Sequence, residues 1–593
     1  MAMAVASLAV FAASAPVRAD GNEMPGQPRS ARSITLGLGH TCVLFDSGAV
    51  GCWGYGPDGQ LGVGTTDNRG AVPGQMGASL PLVDLGPGRT ARAMTSGAFH
   101  TCALLDNGQV KCWGYGAAGQ LGHGFVSSLG DGPGEMGAAL APIDLGAGRT
   151  AISISAGNSH TCALLDTKQV KCWGRNSEGQ LGLGDDLARG DQPGEMGDAL
   201  GTVDVGVGRT VRSISAGGFH TCAVLDTNQV TCWGMGTFGQ LGLGDSNDRG
   251  DAPGEMGAFL PTIDLGAGRT VRSISAGGFH TCAVLDTNQL KCWGDGSDGI
   301  LGLGSPLSMG DDAGEMGDVL PVVDLGAGRT ARGVSAGGDH TCALLDTNQV
   351  KCWGKGALGQ LGLGDPGTRG DLPGQMGDAL PTVPLGSGRS VLAISTGENH
   401  NCAVLDDLRV KCWGINAVGQ LGLGDNNDRG DDPGEMGDAL LAVELPDTVG
   451  QGRLQPDLRV RVPGKPFIGD DVHNTTGANQ SRATTVKKGR QKVITVRLQN
   501  DGNDVDTFSV KGTKSNKRFS ITYTFGSKNI TKKVTRGTYV TPRVQPGAVL
   551  EIRVTVAPKK AATAGKKVTA KVVATSRADT TEKDAVRATV TRR

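Results

Sequence analysis

The chain has 593 residues, 98 of them glycine, only 4% aromatic residues and a formal net charge of −1. That glycine share is about double the ~7% of ordinary usage; with so few aromatics it excludes a helix-rich protein and argues against nucleic-acid binding by base stacking. The near-neutral total conceals two opposite parts. From Arg453 onward 30 Lys and Arg stand against 10 Asp and Glu, leaving 27 against 48 before it, which marks two domains with different electrostatic partners, or with each other as partner.

In chain order, the first segment is "MAMAVASLAVFAASAPVRADG", an apolar run followed by small residues with Val17 and Ala19 ahead of Asp20. It reads as a signal peptide over residues 1–19, although no positive charge precedes the run, with a linker over 20–31. No later stretch reaches the ~18 consecutive apolar residues a membrane span needs. The expected location is therefore the cell exterior or the cell surface, without a membrane span.

From Arg32 the sequence is periodic. His40, His100, His160, His220, His280, His340 and His400 follow one another at intervals of 60 residues, and all 14 cysteines and all 7 tryptophans recur in the same phase. A period of this length means a propeller, a solenoid or an array. Within a unit such as "RTVRSISAGGFHTCAVLDTNQVTCWG" (209–234) three short apolar runs are separated by Gly-Gly and by an Asp-Thr-Asn turn. "LPTVPLG" supplies a fourth run. Four short strands per unit and no 3.6-residue pattern predict a seven-bladed β-propeller over residues 32–448. An open solenoid would need atypical capping units, and the first and last units here are ordinary.

Asp46-Ser47-Gly48 has the chemistry of a three-residue hairpin loop, its third residue at positive φ. Unit seven places Leu408 at that third position, where glycine or asparagine is easier. With this loop Cys42 falls opposite Cys52 in a non-hydrogen-bonded pair, where Cα atoms lie about 4.5 Å apart and a disulfide can close. The same reading pairs Cys102 with Cys112, Cys162 with Cys172, Cys222 with Cys232, Cys282 with Cys292, Cys342 with Cys352 and Cys402 with Cys412. Seven bridges suit an oxidising compartment. A zinc site built on His40, Cys42 and Cys52 would lack a recurring fourth ligand. Neither metal nor cofactor is implied, and seven equivalent histidines argue against catalysis by any one of them.

The words "SAGGFHTC", "VKCWG" and "GQLGLGD", repeated through these units, resemble the repeat of the regulator of chromosome condensation family, including its alpha-tubulin suppressor-like members. The resemblance covers about Arg32 to Pro446 and implies a seven-bladed propeller. It is a version with a cysteine pair and a longer unit, as suits bacterial exported members. The family's best-known activity is nucleotide exchange on a nuclear GTPase, but only scaffold residues match here. "GQLGLGD" has no following Lys-Ser/Thr and reads as a blade turn rather than a phosphate loop. Arg189-Gly190-Asp191, recurring at Arg249, Arg369 and Arg429, spells an adhesion tripeptide that reads better as a braced acidic turn.

The extra length lies in loops such as Asp425 to Leu440. They present Asp131, Glu135, Asp191, Glu195, Asp251, Glu255, Asp311, Glu315, Asp371, Asp431 and Glu435 as candidate binding residues. Calcium could use such oxygens, but the spacing of known calcium loops is absent. Departures from the consensus are scattered, among them Ile300 in place of glutamine and "SPLSMGDDAG" in unit five.

A linker over 449–456 leads to a basic, cysteine-free region, 457–593, with the runs "KVITVRLQN", "RFSITYTF", "VLEIRVTV" and "KVTAKVVATS". Seven or more strands read as a β-sandwich, and they resemble the cell-adhesion-related immunoglobulin-like domains appended to bacterial surface proteins. The whole is expected to be an all-β, exported, monomeric, non-enzymatic scaffold binding a protein or glycan at the cell surface. The alternatives are a guanine-nucleotide-exchange-type regulator and an inhibitor of a secreted enzyme on the same propeller.

Overall fold

The computed structural model describes residues 31–446, 456–463, 465, 467, 481–500, 507–544, 548–577 and 583–593. The expected signal peptide and nearly all of both linkers lie outside them. Two compact units result, one within Ser30–Pro446 and one within Asp447–Arg593.

The first unit is a closed ring of seven blades. Each is built from one stretch of chain, as in Ala31–Leu36, His40–Phe45 and Val50–Gly54, paired antiparallel in that order. The fourth run is not a regular strand. It returns beside the third as an irregular segment held by one backbone bond, Val83 N–H to Val50 O at 2.8 Å, repeated by Ile143 on Val110 and so on to Val443 on Val410. The cause lies in the preceding 25-residue excursion, whose Arg69 takes both backbone groups of Gly54 and so occupies the outer edge first.

The hairpin follows from its turn. Gly48 N–H bonds Phe45 O at 2.8 Å and Phe45 N–H bonds Ala49 O at 3.0 Å. The third turn residue is left-handed throughout, from Gly48 (φ 76) to Leu408 (φ 67). Cys42 stands opposite Cys52, and each of the seven pairs is bonded with Cα atoms 4.1 Å apart.

The middle strand "HTCVLF" is buried at every position because neighbouring blades cover both faces of it. One face packs Cys42, Leu44, Val50, Cys52 and Leu61 against Ala103, Leu105 and Trp113 of the next blade. The other packs Val43, Phe45 and Trp53 against Cys402, Val404 and Leu421 of the seventh. The seam between blades seven and one is therefore made of the same apolar contacts as every other junction.

The second unit holds two five-stranded sheets that share one core including Leu498, Phe508, Phe519, Tyr523 and Val554. One sheet runs Pro456–Arg461, Lys492–Asn500, Val549–Pro558, Phe519–Phe525, Lys528–Asn529. The other runs Ser481–Val486, Lys583–Arg592, Lys567–Ser576, Phe508–Gly512, Tyr539–Val540 and opens with a parallel pair. A short helix, Thr531–Arg536, ends at Gly537 in the left-handed conformation (φ 74).

Closing an ~11-residue loop contributes about 2.5 to 3 kcal/mol at most. The double replacement Cys162→Ser with Cys172→Ser should therefore lower the thermal midpoint of the ring while leaving far-ultraviolet circular dichroism at room temperature unchanged. An unaltered midpoint would show that the hairpin register alone holds the blade.

Candidate functional site: the latches, the acidic loops and the channel rim

Three sets of side chains could serve function, and the structure separates them. The first joins blade to blade. The main-chain oxygen of Gln60 accepts Thr101 Oγ1–H at 3.0 Å and the Trp113 indole N–H at 3.1 Å, both from the next blade. The same pair of donors reaches Gln120, Gln180 and Gln240. At the seam, Gln420 O accepts from Thr41 at 2.9 Å and Trp53 at 3.0 Å.

Each threonine, its proton committed to that carbonyl, accepts from the histidine of the preceding blade: His40 Nε2 lies 3.0 Å from Thr101 Oγ1, His160 2.9 Å from Thr221 and His400 2.9 Å from Thr41. Blade seven fixes the sense of these bonds, since Asn401 stands in the threonine position. Its Nδ2 donates to Gln360 O at 2.7 Å, so its Oδ1 must accept from His340 Nε2–H at 2.7 Å. The histidines therefore carry the proton on Nε2. Each Nδ1 is buried without a hydrogen-bond partner.

Two glycines show how closely these parts approach. A Cβ on Gly37 would sit 2.5 Å from His40 Nδ1 and 2.5 Å from Gly97 O, and one on Gly62 (φ 65) would sit 2.6 Å from Trp113 Nε1. Burial lowers the histidine pKa values from 6.5 to about 3 at His40, His100, His220, His280 and His400, and to about 4 at His160. These residues are a frame: the histidines and tryptophans are all fully buried.

The second set is the acidic loops. Glu135 Oε2 accepts Gly130 N–H at 2.9 Å and Gly132 N–H at 2.8 Å. Glu195, Glu255, Glu315 and Glu435 do the same in their own loops, and Gln375 takes this place next to Asp371. Burial, then the neighbouring Glu carboxyl, raises the Asp131 and Asp251 pKa values, while for Asp311 the Glu315 charge adds to burial. Asp191, Asp371 and Asp431 occupy equivalent turns, each with Oδ1 buried and unpartnered. Arg189 and Asp185 are paired at 2.6 Å, and Arg249, Arg369 and Arg429 are paired likewise, so the Arg-Gly-Asp arginines close their own loops. Among the described residues no cluster of three or more His, Cys, Asp or Glu is arranged to hold a metal ion.

The third set was not singled out from sequence. Leu36–Leu38 and their equivalents line a central cavity of about 120 Å³. Beside it, the residue before each histidine is Gly39, Phe99, Ser159, Phe219, Phe279, Asp339 or Asn399. It is tied by its carbonyl to the N–H of the residue after Cys-Trp-Gly, which is Tyr55, Tyr115, Arg175, Met235, Asp295, Lys355 or Ile415. Histidine and tryptophan are identical in all seven units, whereas the first rim position takes five different residues, the second takes six, and no two units carry the same pair. Six of the nine Phe and Tyr residues of the propeller stand at or beside this rim: Tyr55, Phe99, Tyr115, Phe219, Phe238 and Phe279. They touch across blades, with Tyr55 edge-on to Phe99 at 6.0 Å and Phe219 stacked on Phe279 at 5.6 Å. The signal available in sequence was variation between otherwise near-identical units.

A ring of seven blades with this frame is a propeller of the repeat class suggested by its words. The regulator of chromosome condensation (RCC1) repeat matches residues 92–120, 151–180, 211–240, 271–300, 331–360 and 391–420, and a second description of that repeat matches 169–224 and 228–284. The ultraviolet-B receptor UVR8 of Arabidopsis thaliana is 30% identical over 417 residues, 69% of this chain and 82% of that protein. The mitochondrial RCC1 domain-containing protein RUG3 of Arabidopsis thaliana is 28% identical over 343 residues, 56% of this chain and 68% of that protein. The crystal structure of Prp20p from Saccharomyces cerevisiae, a protein described with binding properties to Gsp1p and histones, covers 69% of this chain and 86% of its own at a TM-score of 0.50 and 19% identity, a likeness of fold. The chain belongs to the RCC1 repeat family. Among the described residues no helix is long and apolar enough to cross a membrane.

A histidine whose folded pKa lies below its unfolded value contributes stability that is complete above about pH 6.5 and is lost as pH falls toward the folded value, at up to about 1.4 kcal/mol per pH unit for each group. Thermal midpoints should therefore fall between pH 7 and pH 5, with proton uptake on unfolding in calorimetry. Replacing His160 by Gln should reduce that uptake. A midpoint independent of pH across this window would contradict the neutral, buried assignment.

Proposed function

We propose that the chain is an exported, non-enzymatic binding scaffold for a protein or glycan at the cell surface, working as a monomer, with the channel rim as its recognition surface and the basic C-terminal sandwich as tether or spacer. One observation carries this reading: the histidine and tryptophan that hold the ring recur in all seven units and the threonine in six of them, while the side chains around the mouth change from unit to unit. A repeat under structural constraint alone would have no reason to gather scarce aromatics there. These rings are partly exposed, Tyr115 the most so, and clustered aromatic side chains that solvent can reach are typical of recognition surfaces. Support for export comes from the N-terminal segment and from cysteines that are all paired across hairpins. The acidic loops, their Glu carboxylates engaged by their own backbone, have less left to offer a partner.

The test applies biotin-labelled chain to the surface and medium of the producing cells and compares two variants. One carries Tyr55→Ser, Phe99→Ser and Tyr115→Ser at the rim, the other Glu135→Gln, Glu195→Gln and Glu255→Gln in the loops. A species retained by the parent and by the loop variant but lost by the rim variant is the expected result. Retention by both variants, or loss by the loop variant alone, would overturn the rim as the working surface.

A further inference from the structure

The rim is asymmetric in charge, and the asymmetry states what it can bind. In blades five to seven three carboxylates, Asp298, Asp339 and Glu398, lie near one ammonium, that of Lys355, and a fourth, Asp295, stands at the rim position of blade five. Lys355 Nζ donates to Asp339 Oδ2 at 3.1 Å, and Asp298 and Glu398 lie close enough to raise its pKa further. The single ammonium leaves at least two of these carboxylates without a cationic partner. Glu398 lies among the residues lining the central cavity, and burial, then the Asp339 charge, holds its carboxyl above the usual range. A second cation placed there would relieve both effects.

The turn carrying Asp298 is rebuilt for this place. In other blades the turn is fastened by a glutamine side chain, as when Asp58 N–H bonds Gln60 Oε1 at 3.0 Å. Ile300 cannot make that bond, and Asp298 adopts the left-handed conformation (φ 53).

Next to this sector stand the stacked Phe219 and Phe279, with Phe238 edge-on to Phe279 at 5.4 Å. The outer end of that stack already accepts a guanidinium, since Arg175 Cζ lies 5.3 Å from the centre of the Phe219 ring. Phe279 is joined to the acidic sector by its own carbonyl, which takes the Asp295 N–H at 3.0 Å. A planar cation can stack on an aromatic face and pair with a carboxylate by two parallel bonds, which an ammonium cannot.

We propose that this sector of the rim is a docking site for a partner polypeptide segment that presents an arginine flanked by apolar side chains, the guanidinium meeting Asp339 and Glu398 and the apolar neighbours covering Phe279 and Phe238. The inference rests on the reading of the rim as a recognition surface and adds the chemistry of its occupant. Charge complementarity selects a cationic polypeptide over a neutral glycan, for which two uncompensated carboxylates would have no use.

The test uses fluorescent glycine-serine peptides with a central Leu-Arg-Phe, Leu-citrulline-Phe or Leu-Glu-Phe, titrated with the whole chain in polarisation measurements. The arginine peptide should bind at least about tenfold more tightly than its citrulline isostere, with a preference that declines as salt is raised. Asp339→Asn combined with Glu398→Gln should abolish the preference, and Phe279→Ser should weaken both peptides. Lys355→Gln removes the competing cation and should tighten the arginine peptide, a gain that misfolding cannot produce. Equal binding of the arginine and citrulline peptides, a preference that survives the double variant, or weaker binding by Lys355→Gln would overturn the proposal. So would a neutral oligosaccharide that binds while the arginine peptide does not. If rim-dependent capture from cells persists in the face of such a result, the scaffold reading stands and only the arginine assignment falls.

Discussion

A main-chain carbonyl that receives two donors from the next blade is the contact on which this ring depends. A carbonyl oxygen has two lone pairs, and at each junction one takes a threonine or asparagine side chain and the other an indole N–H, as Gln120 O takes Thr161 and Trp173. Because the acceptor is backbone, side-chain identity there is open: Ile300 O accepts Thr341 at 2.8 Å and Trp353 at 3.0 Å as well as any glutamine does. A typical hydrogen bond is worth about 0.5 to 1.5 kcal/mol net, whereas a buried polar group left unpaired costs about 1 to 3 kcal/mol. Junctions of this kind are therefore strict about geometry even where each contributes modestly. Buried tryptophan, which needs a partner for its N–H, supplies both the apolar mass and the directional bond.

The division of labour between frame and rim follows from where backbone and side chain are used. Inside the junctions, side chains do the bonding and vary only where the replacement makes the same bonds, as Asn401 does in the threonine position. At the mouth the positions of Phe99 and Tyr115 are tied to one another by a backbone bond, Tyr115 N–H to Phe99 O at 2.9 Å, so any side chain can be mounted there without disturbing the ring. Side chains at the mouth can then change by single substitutions that the fold does not register, as surface positions on a rigid scaffold commonly do.

Much of the fold was legible in the sequence, because period, strand alternation and turn chemistry are local signals. The interval between histidines set the blade number, and the Asp46–Gly48 turn set the register that brings Cys42 opposite Cys52. The fourth run misled, since its apolar pattern is real but the preceding loop takes the edge it would have paired with. The latches were not legible. They join residues 41, 53 and 61 positions apart, and one partner is a carbonyl that carries no sequence signal. For the candidate site, the acidic loops stood out by composition, yet a carboxylate that braces its own turn and one that faces solvent spell the same letter. Phe99, Asp339 and Glu398 differ from their counterparts in plain view. Only the fold brings residues from separate units around one opening.

Among the described residues no strand is exchanged across the seam. Blade one is made wholly from its own unit and meets blade seven through Gly77 N–H on Glu444 O at 2.8 Å, the bond that Gly137 makes with Asp84 between the first two blades at 3.0 Å. The ring therefore has no privileged beginning. A chain that started at the third unit and ran through the present ends into the second would assemble the identical circle, so the order of units along the gene fixes only which neighbours share a rim sector. Duplication or reshuffling of whole units can thus rewrite the sequence of chemistries around the mouth while every joint remains the same.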